Sequence, residues 1–144
     1  MNLFGMLEVS GSALGAERWR AEVVSANMAN SETTRTPQGG AYRRQLLIFR
    51  AQPMTRFPLL LAGLPGHAPE GVRVERVVAD PSPMPQRYEP GHPDADATGY
   101  VTYPNVNPVF EMTDLLSAVR AYQVNVAAVQ AAKSMIQTSL QILS

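Results

Sequence analysis

The 144-residue sequence contains no cysteine, which excludes disulfides, thiolate nucleophiles and cysteine-ligated zinc whatever compartment the chain occupies. It has no excess of charge of either sign. Twelve Lys and Arg stand against twelve Asp and Glu, with a pI near 6.7, so the long-range field by which a nucleic-acid binder captures a polyanion is missing. Charged residues make up only 17%, against roughly 25% in ordinary soluble domains, while a hydrophobic content of 45% suffices for a folded core. A surface so poor in charge implies that something else covers part of it. Long apolar runs are absent too. Leu3 to Leu14 is interrupted by Glu8 and lacks the basic residues that open a secretory signal. Ala121 to Ala132 is free of charge but short, and it contains Tyr122, Gln123, Asn125 and Gln130, so it does not read as a membrane span.

Proline is missing from both ends: all twelve lie between Pro37 and Pro108. Because proline breaks helix interiors, the two arms can be long helices and the middle cannot. The charges divide with it. Residues 1–56 carry seven basic and four acidic groups, residues 57–107 three and six, and the remainder two and two. The expected fold is therefore α+β. Residues 1–36 and 108–144 form a discontinuous helical domain, pairing as an antiparallel coiled-coil-like bundle, and residues 37–107 form an extended segment and a small β-rich domain.

The C-terminal arm gives the strongest signal. Asn107 can cap a helix, Pro108 suits its first position, and Glu111 and Asp114 complement the dipole at that end. Two interleaved heptad series follow: Met112, Val119, Val126, Lys133 and Leu140, then Leu115, Tyr122, Val129, Ile136 and Leu143. Nine of these ten positions are apolar. Alternating steps of three and four define a coiled-coil seam, here on a rod of about 50 Å. The N-terminal arm repeats the pattern more weakly through Leu3, Leu7, Leu14, Ala21, Val24 and Met28, interrupted by Ser10 and Glu17. Opposite the C-terminal seam lie Ala118, Ala121, Ala127, Ala128, Ala131 and Ala132 instead of charges. That back face calls for cover by other copies or subunits.

In the middle, residues 41–50 and 71–79 are rich in strand formers, with Val72, Val74, Arg76 and Val78 alternating against Arg73, Glu75 and Val77, and Gly99–Tyr103 is a third strand candidate. Residues 53–69 and 81–93 are dense in Pro and Gly and suit turning or extended chain.

Chemistry finds little purchase. His92, Asp94 and Asp96, with a distant His67, offer nitrogen and oxygen donors, but alternating Asp beside Pro and Gly is ordinary turn chemistry. We expect no metal, cofactor or catalytic residue there. The string SGSALG at residues 10–15 lacks the spacing of a nucleophile elbow or a phosphate loop and suits close helix approach instead. The arginines at 18, 20, 35, 43, 44, 50 and 56 read as a solvated face pairing with acidic neighbours, and Trp19 and Tyr122 read as packing anchors. Asn27 and Asn30, in SANMANS, sit where side-chain amides can bond freed helix carbonyls or a neighbouring chain.

The stretch SGSALGAERWRAEVVSANMANSETTRTPQGGAYRRQLLIF resembles the N-terminal signature of bacterial flagellar basal-body rod proteins. Residues 80–107, followed by EMTDLLSAVRAYQVNVAAVQAAKSM, are similar to the proximal-rod branch of that family in particular. Residues 51–70 fall outside the likeness and read as a variable loop. The resemblance implies a non-catalytic structural subunit, exported through the flagellar type III apparatus without a cleaved signal and assembled in the periplasmic rod of the basal body. The partners it implies are further copies, the other proximal and distal rod subunits and a rod-base adaptor, with no nucleic acid and no membrane insertion. Subunit packing is then expected of Leu7, Leu14, Val24, Asn27, Met28, Asn30, Met112, Leu115, Val119, Tyr122, Val126, Val129, Ile136, Leu140 and Leu143.

Overall fold

The computed structural model describes residues 3–53 and 70–143. His67, Arg56 and nearly all of the variable loop lie outside the described residues, as do the side chains of Leu3 and Leu143. The chain runs α1 (Leu3–Ala29), β1 (Gln45–Pro53), β2 (Glu70–Ala79), β3 (Gln86–Tyr88), β4 (Tyr100–Thr102) and α2 (Pro108–Leu143). Among the described residues the helices fall within the two proline-free arms, with α1 ending at Ala29 and not at residue 36, so the architecture is α+β. Among the described residues the middle holds two separate two-stranded sheets, β1 with β2 and β3 with β4.

The caps explain the helix ends. The Asn107 side chain accepts the Val109 amide at 3.0 Å, and the Asn107 carbonyl accepts the Glu111 amide at 3.1 Å. These are the bonds that an N-cap makes ahead of a proline in the first turn. At the end of α1 the Asn30 side-chain amide donates to the Ala26 carbonyl at 2.8 Å, and its oxygen accepts the Thr33 hydroxyl at 3.1 Å.

The strands differ from expectation at their edges. Residues 41–44 stay outside β1 because their polar groups are used elsewhere, as shown below, and β1 instead continues to Pro53. In β2 the half-buried positions are Val72, Val74 and Val78, while Arg73, Glu75 and Val77 are exposed and Arg76 departs from the alternation. Strand β3 was not anticipated, because Gln86–Tyr88 is too short and too polar to show a period. It pairs antiparallel with β4 in the register Gln86 with Thr102, Arg87 with Val101 and Tyr88 with Tyr100. Val101 is fully buried. The Tyr88 and Tyr100 rings meet edge-on at 5.3 Å, and the Arg87 guanidinium lies 4.7 Å from the centre of the Tyr103 ring.

Gly99 closes this ribbon with φ of +85°, and a Cβ there would stand 2.8 Å from Tyr88 Cε2. Both the backbone and the space demand glycine. Gly99→Ala should therefore destabilise the β3–β4 unit by about 1–3 kcal/mol, read as a lower melting temperature and a displaced Tyr88 ring resonance.

Asp96 organises the same turn. Its Oδ1 accepts the Thr98 amide at 2.8 Å, the Thr98 hydroxyl at 2.6 Å and the Tyr100 amide at 2.9 Å. The Thr98 hydroxyl above all, then the Tyr100 amide, holds the carboxyl below its ordinary value of 3.8. A depressed carboxylate stabilises the fold fully above its unfolded value and stops doing so as pH falls through the lowered one. Acid titration followed by NMR should accordingly loosen the ribbon only below the ordinary carboxylate range, and Asp96→Asn should remove that transition.

By contacts the chain divides into two compact units, each containing part of both helices. One takes in α1 up to Trp19, the stretches Phe49–Pro53 and Glu70–Glu75, and α2 from Ala118. There the Ser12 hydroxyl donates to the Val9 carbonyl at 2.7 Å and accepts the Val72 amide at 3.1 Å, tying β2 to α1. Arg50 pairs with Glu75 at 3.4 Å. The other unit runs from Arg20 to Ile48 and from Arg76 to Ser117; it contains the β3–β4 ribbon and the polar cluster described next.

Candidate functional site: a buried polar junction at the helix ends

Two polar side chains in the second unit, Asn27 near the end of α1 and Glu111 in the first turn of α2, are each only 1% exposed. Burial at that level is costly unless every donor and acceptor is used, and here all are. Asn27 Oδ1 accepts the Gln45 amide at 2.8 Å and the Tyr42 hydroxyl at 2.9 Å. Asn27 Nδ2 donates to the Gln45 carbonyl at 2.9 Å and to Glu111 Oε2 at 3.1 Å. The carboxamide thus bonds the amide and carbonyl of one residue, as a neighbouring strand would, and so fixes the start of β1.

Glu111 Oε1 accepts Arg44 Nε at 2.6 Å, which extends the network beyond the helices. Arg44 also lies 3.6 Å from Asp80 Oδ2, its amide donates to Asn105 Oδ1 at 2.9 Å, and its carbonyl accepts the Asp80 amide at 2.8 Å. Arg43 donates to the Asp80 carbonyl at 3.0 Å. The N-terminus of α2 and the guanidinium both offset the Glu111 charge. Burial, and secondly the Glu111 carboxylate, push the Tyr42 phenol above its usual range. Bonds from the Ser82 hydroxyl and then its amide hold the Asp80 carboxyl below its own. A second link between the helices is the Arg20–Asp114 ion pair. From Arg20 to Asn27 the partners step back from Asp114 to Glu111, so the helices run antiparallel in this unit.

Sequence reasoning singled out Asn27 and Asn30 but missed Tyr42, Arg44, Asp80, Asn105 and the burial of Glu111. Glu111 was read only as a dipole partner and Arg44 only as part of a solvated face. Arg20, Arg35, Arg44 and Arg50 do pair with acidic neighbours, yet Arg44 does so inside a buried network.

The expected seam also sits differently within the single chain. On α2 the fully buried positions are Glu111, Ala118 and Ala132, one residue before Met112, Val119 and Lys133 of the first heptad series. Met112, Val119, Tyr122 and Leu140 are 41–62% exposed, while Leu115, Val126, Val129 and Ile136 are half-buried. On α1, Ser10, Ala16, Val24 and Asn27 are buried, and Leu7, Leu14 and Met28 half-buried. At the junction the offset has a local reason: with Glu111 placed against Asn27 and Arg44, its neighbour Met112 points about 100° away. Coiled-coil pairing of the arms is not established by these contacts. Trp19 and Tyr122, expected to be packing anchors, are exposed at 53% and 41%.

The acidic turn is occupied by structure. Asp94 accepts the Thr34 hydroxyl at 2.8 Å and faces Arg35 at 3.6 Å, while His92 Nδ1 accepts the Asp94 amide at 3.1 Å. Among the described residues no group of three His, Cys, Asp or Glu could hold a metal ion.

Two long helices joined at one end through a polar lock, with large apolar side chains left outside, describe a structural element. The comparisons give the class: residues 97–142 match the C-terminal family model of the flagellar basal body rod FlgEFG proteins. Over 99% of both chains, the sequence is 43% identical to the flagellar basal-body rod protein FlgC of Borreliella burgdorferi. It is 40% identical to that of Bacillus subtilis over 99% of both chains, and 37% identical to that of Salmonella typhimurium over 99% of this chain and 98% of the relative. The chain belongs to the FlgC family of flagellar basal-body rod proteins, a structural and non-enzymatic family, and is a rod subunit of the basal body.

Proposed function

We propose that the chain builds the proximal part of the periplasmic rod, packing through its terminal domain (residues 1–36 and 108–144) against other copies and other rod subunits. The middle (residues 37–107) forms the outer, β-containing part. The observation that carries this reading is the exposure of large apolar side chains along α2, among them Val119, Tyr122, Leu140 and Ile142, in a chain whose full-length relatives are rod proteins. An antiparallel coiled-coil arrangement of the arms is supported by the opposite running of the Asn27–Glu111 and Arg20–Asp114 links. Export through the flagellar type III apparatus without a cleaved signal, and contact with a rod-base adaptor and distal rod proteins, belong to the same reading. No described helix is long and apolar enough to cross a membrane; the reading includes neither membrane insertion nor nucleic acid.

In a shaft that carries torque, the polar junction would resist shear between helices and middle, because its bonds are directional where apolar contacts are not. Deletion of the gene should abolish motility and leave basal bodies without a rod. A tagged copy should restore swimming and co-purify with basal bodies. A motile deletion strain would overturn the reading.

A further inference from the structure

The inward stripe of α2 repeats every seven residues: Glu111, Ala118 and Ala132 are buried, and Asn125 between them is half-buried. The residues beside it repeat as well, Val119 following Met112 and Tyr122 following Leu115. Sliding α2 along α1 by one heptad, about 10 Å at 1.5 Å per residue, would therefore exchange one apolar side chain for another. The polar pairs do not repeat. Seven residues beyond Glu111 stands Ala118, and seven beyond Asp114 stands Ala121. After such a slip the buried Asn27 would set its Nδ2 against a methyl group in place of Glu111 Oε2, and Arg20 would exchange Asp114 for a second methyl group. A buried donor deprived of its acceptor is penalised where an apolar side chain in a neighbouring apolar place is not.

We infer that the Asn27–Glu111 and Arg20–Asp114 pairs fix the register in which α1 and α2 pack, a choice that the apolar stripe leaves open. Setting register is the best-attested use of polar groups buried between helices, whose net contribution to stability is small once desolvation is counted. The inference concerns the single chain and is independent of the rod reading.

The absence of native cysteine allows a direct test with spin labels. Ser25 on α1 and Ser117 on α2 are both exposed, so Ser25→Cys with Ser117→Cys places one label on each helix. Double electron-electron resonance on the purified chain should give one narrow distance. Moving both acceptors by one heptad, with Glu111→Ala, Asp114→Ala, Ala118→Glu and Ala121→Asp, should keep the helical circular dichroism and replace that distance by another, the helices having slid by about 10 Å. Deleting the charges instead, with Arg44→Met, Glu111→Leu and Asp114→Leu, leaves no buried ion unpaired. Helix content should again persist, while the single distance splits into two or more. The original single distance in both variants would overturn the inference and assign the register to the chain connection, where Asn105 holds the Arg44 amide. Loss of helix on deleting the charges would overturn it too, because the pairs would then supply stability and not register.

Discussion

Glu111→Ala should lower the unfolding free energy of the purified chain by about 3 kcal/mol. Removing one partner of a buried ion pair costs about 3–5 kcal/mol, because the other is left uncompensated. Here the side chain of Arg44 is 28% exposed, so water reaches part of the guanidinium and the lower end applies. The Asn27 Nδ2 donor loses one of its two acceptors at the same time. Glu111→Gln keeps the shape but turns an NH2 group towards one of the two donors, and about 1–2 kcal/mol should be lost. Denaturant unfolding gives the free energies. Hydrogen exchange at the Gln45 amide, which is bonded to Asn27 Oδ1, should rise in the same order. A loss below about 0.5 kcal/mol for Glu111→Ala would show that the junction does not hold this unit together.

Val129→Asp should abolish motility while leaving the chain exportable. Val129 is half-buried in the single chain, and on the proposed packing a neighbouring subunit covers the remainder. A carboxylate closed into that contact without a partner costs several kcal/mol, more than one docking position can lose without the assembly coming apart. Val129→Ala, which removes volume but adds no charge, should leave swimming measurable. Soft-agar swimming and the amount of the chain in basal bodies report the outcome, and normal swimming of Val129→Asp would contradict the assignment of this face to a subunit contact.

The helices were legible because their signals are local. Proline stops at Pro108, Asn107 supplies the cap, and apolar residues recur with the helical period, so the start of α2 could be placed to the residue. Which face turns inward was not legible. Met112 and Val119 are larger and more apolar than Glu111 and Ala118, and a pattern read for hydrophobicity selects them. The chain instead buries Ala118 and Glu111, and Arg44 and Asn27 make Glu111 inexpensive to bury. Those partners lie 67 and 84 residues away, a distance over which sequence spacing carries no information. Asn27 could be flagged because an amide at a helix end has few other uses. Arg44, among several arginines, could not. The pair β3–β4 escaped for a related reason. Three-residue strands have no period, and the Gly99 turn is specified by Tyr88, eleven positions earlier.

Density for the assembled basal body tests the central claim most directly. The account predicts that α1 and α2 of this chain lie antiparallel within the proximal rod, with Asn27 against Glu111 and Arg44 and the exposed apolar side chains of α2 covered by a neighbouring subunit. A rod in which α1 and α2 of one chain lie apart, or in which Val119, Tyr122 and Leu140 face solvent, would contradict it.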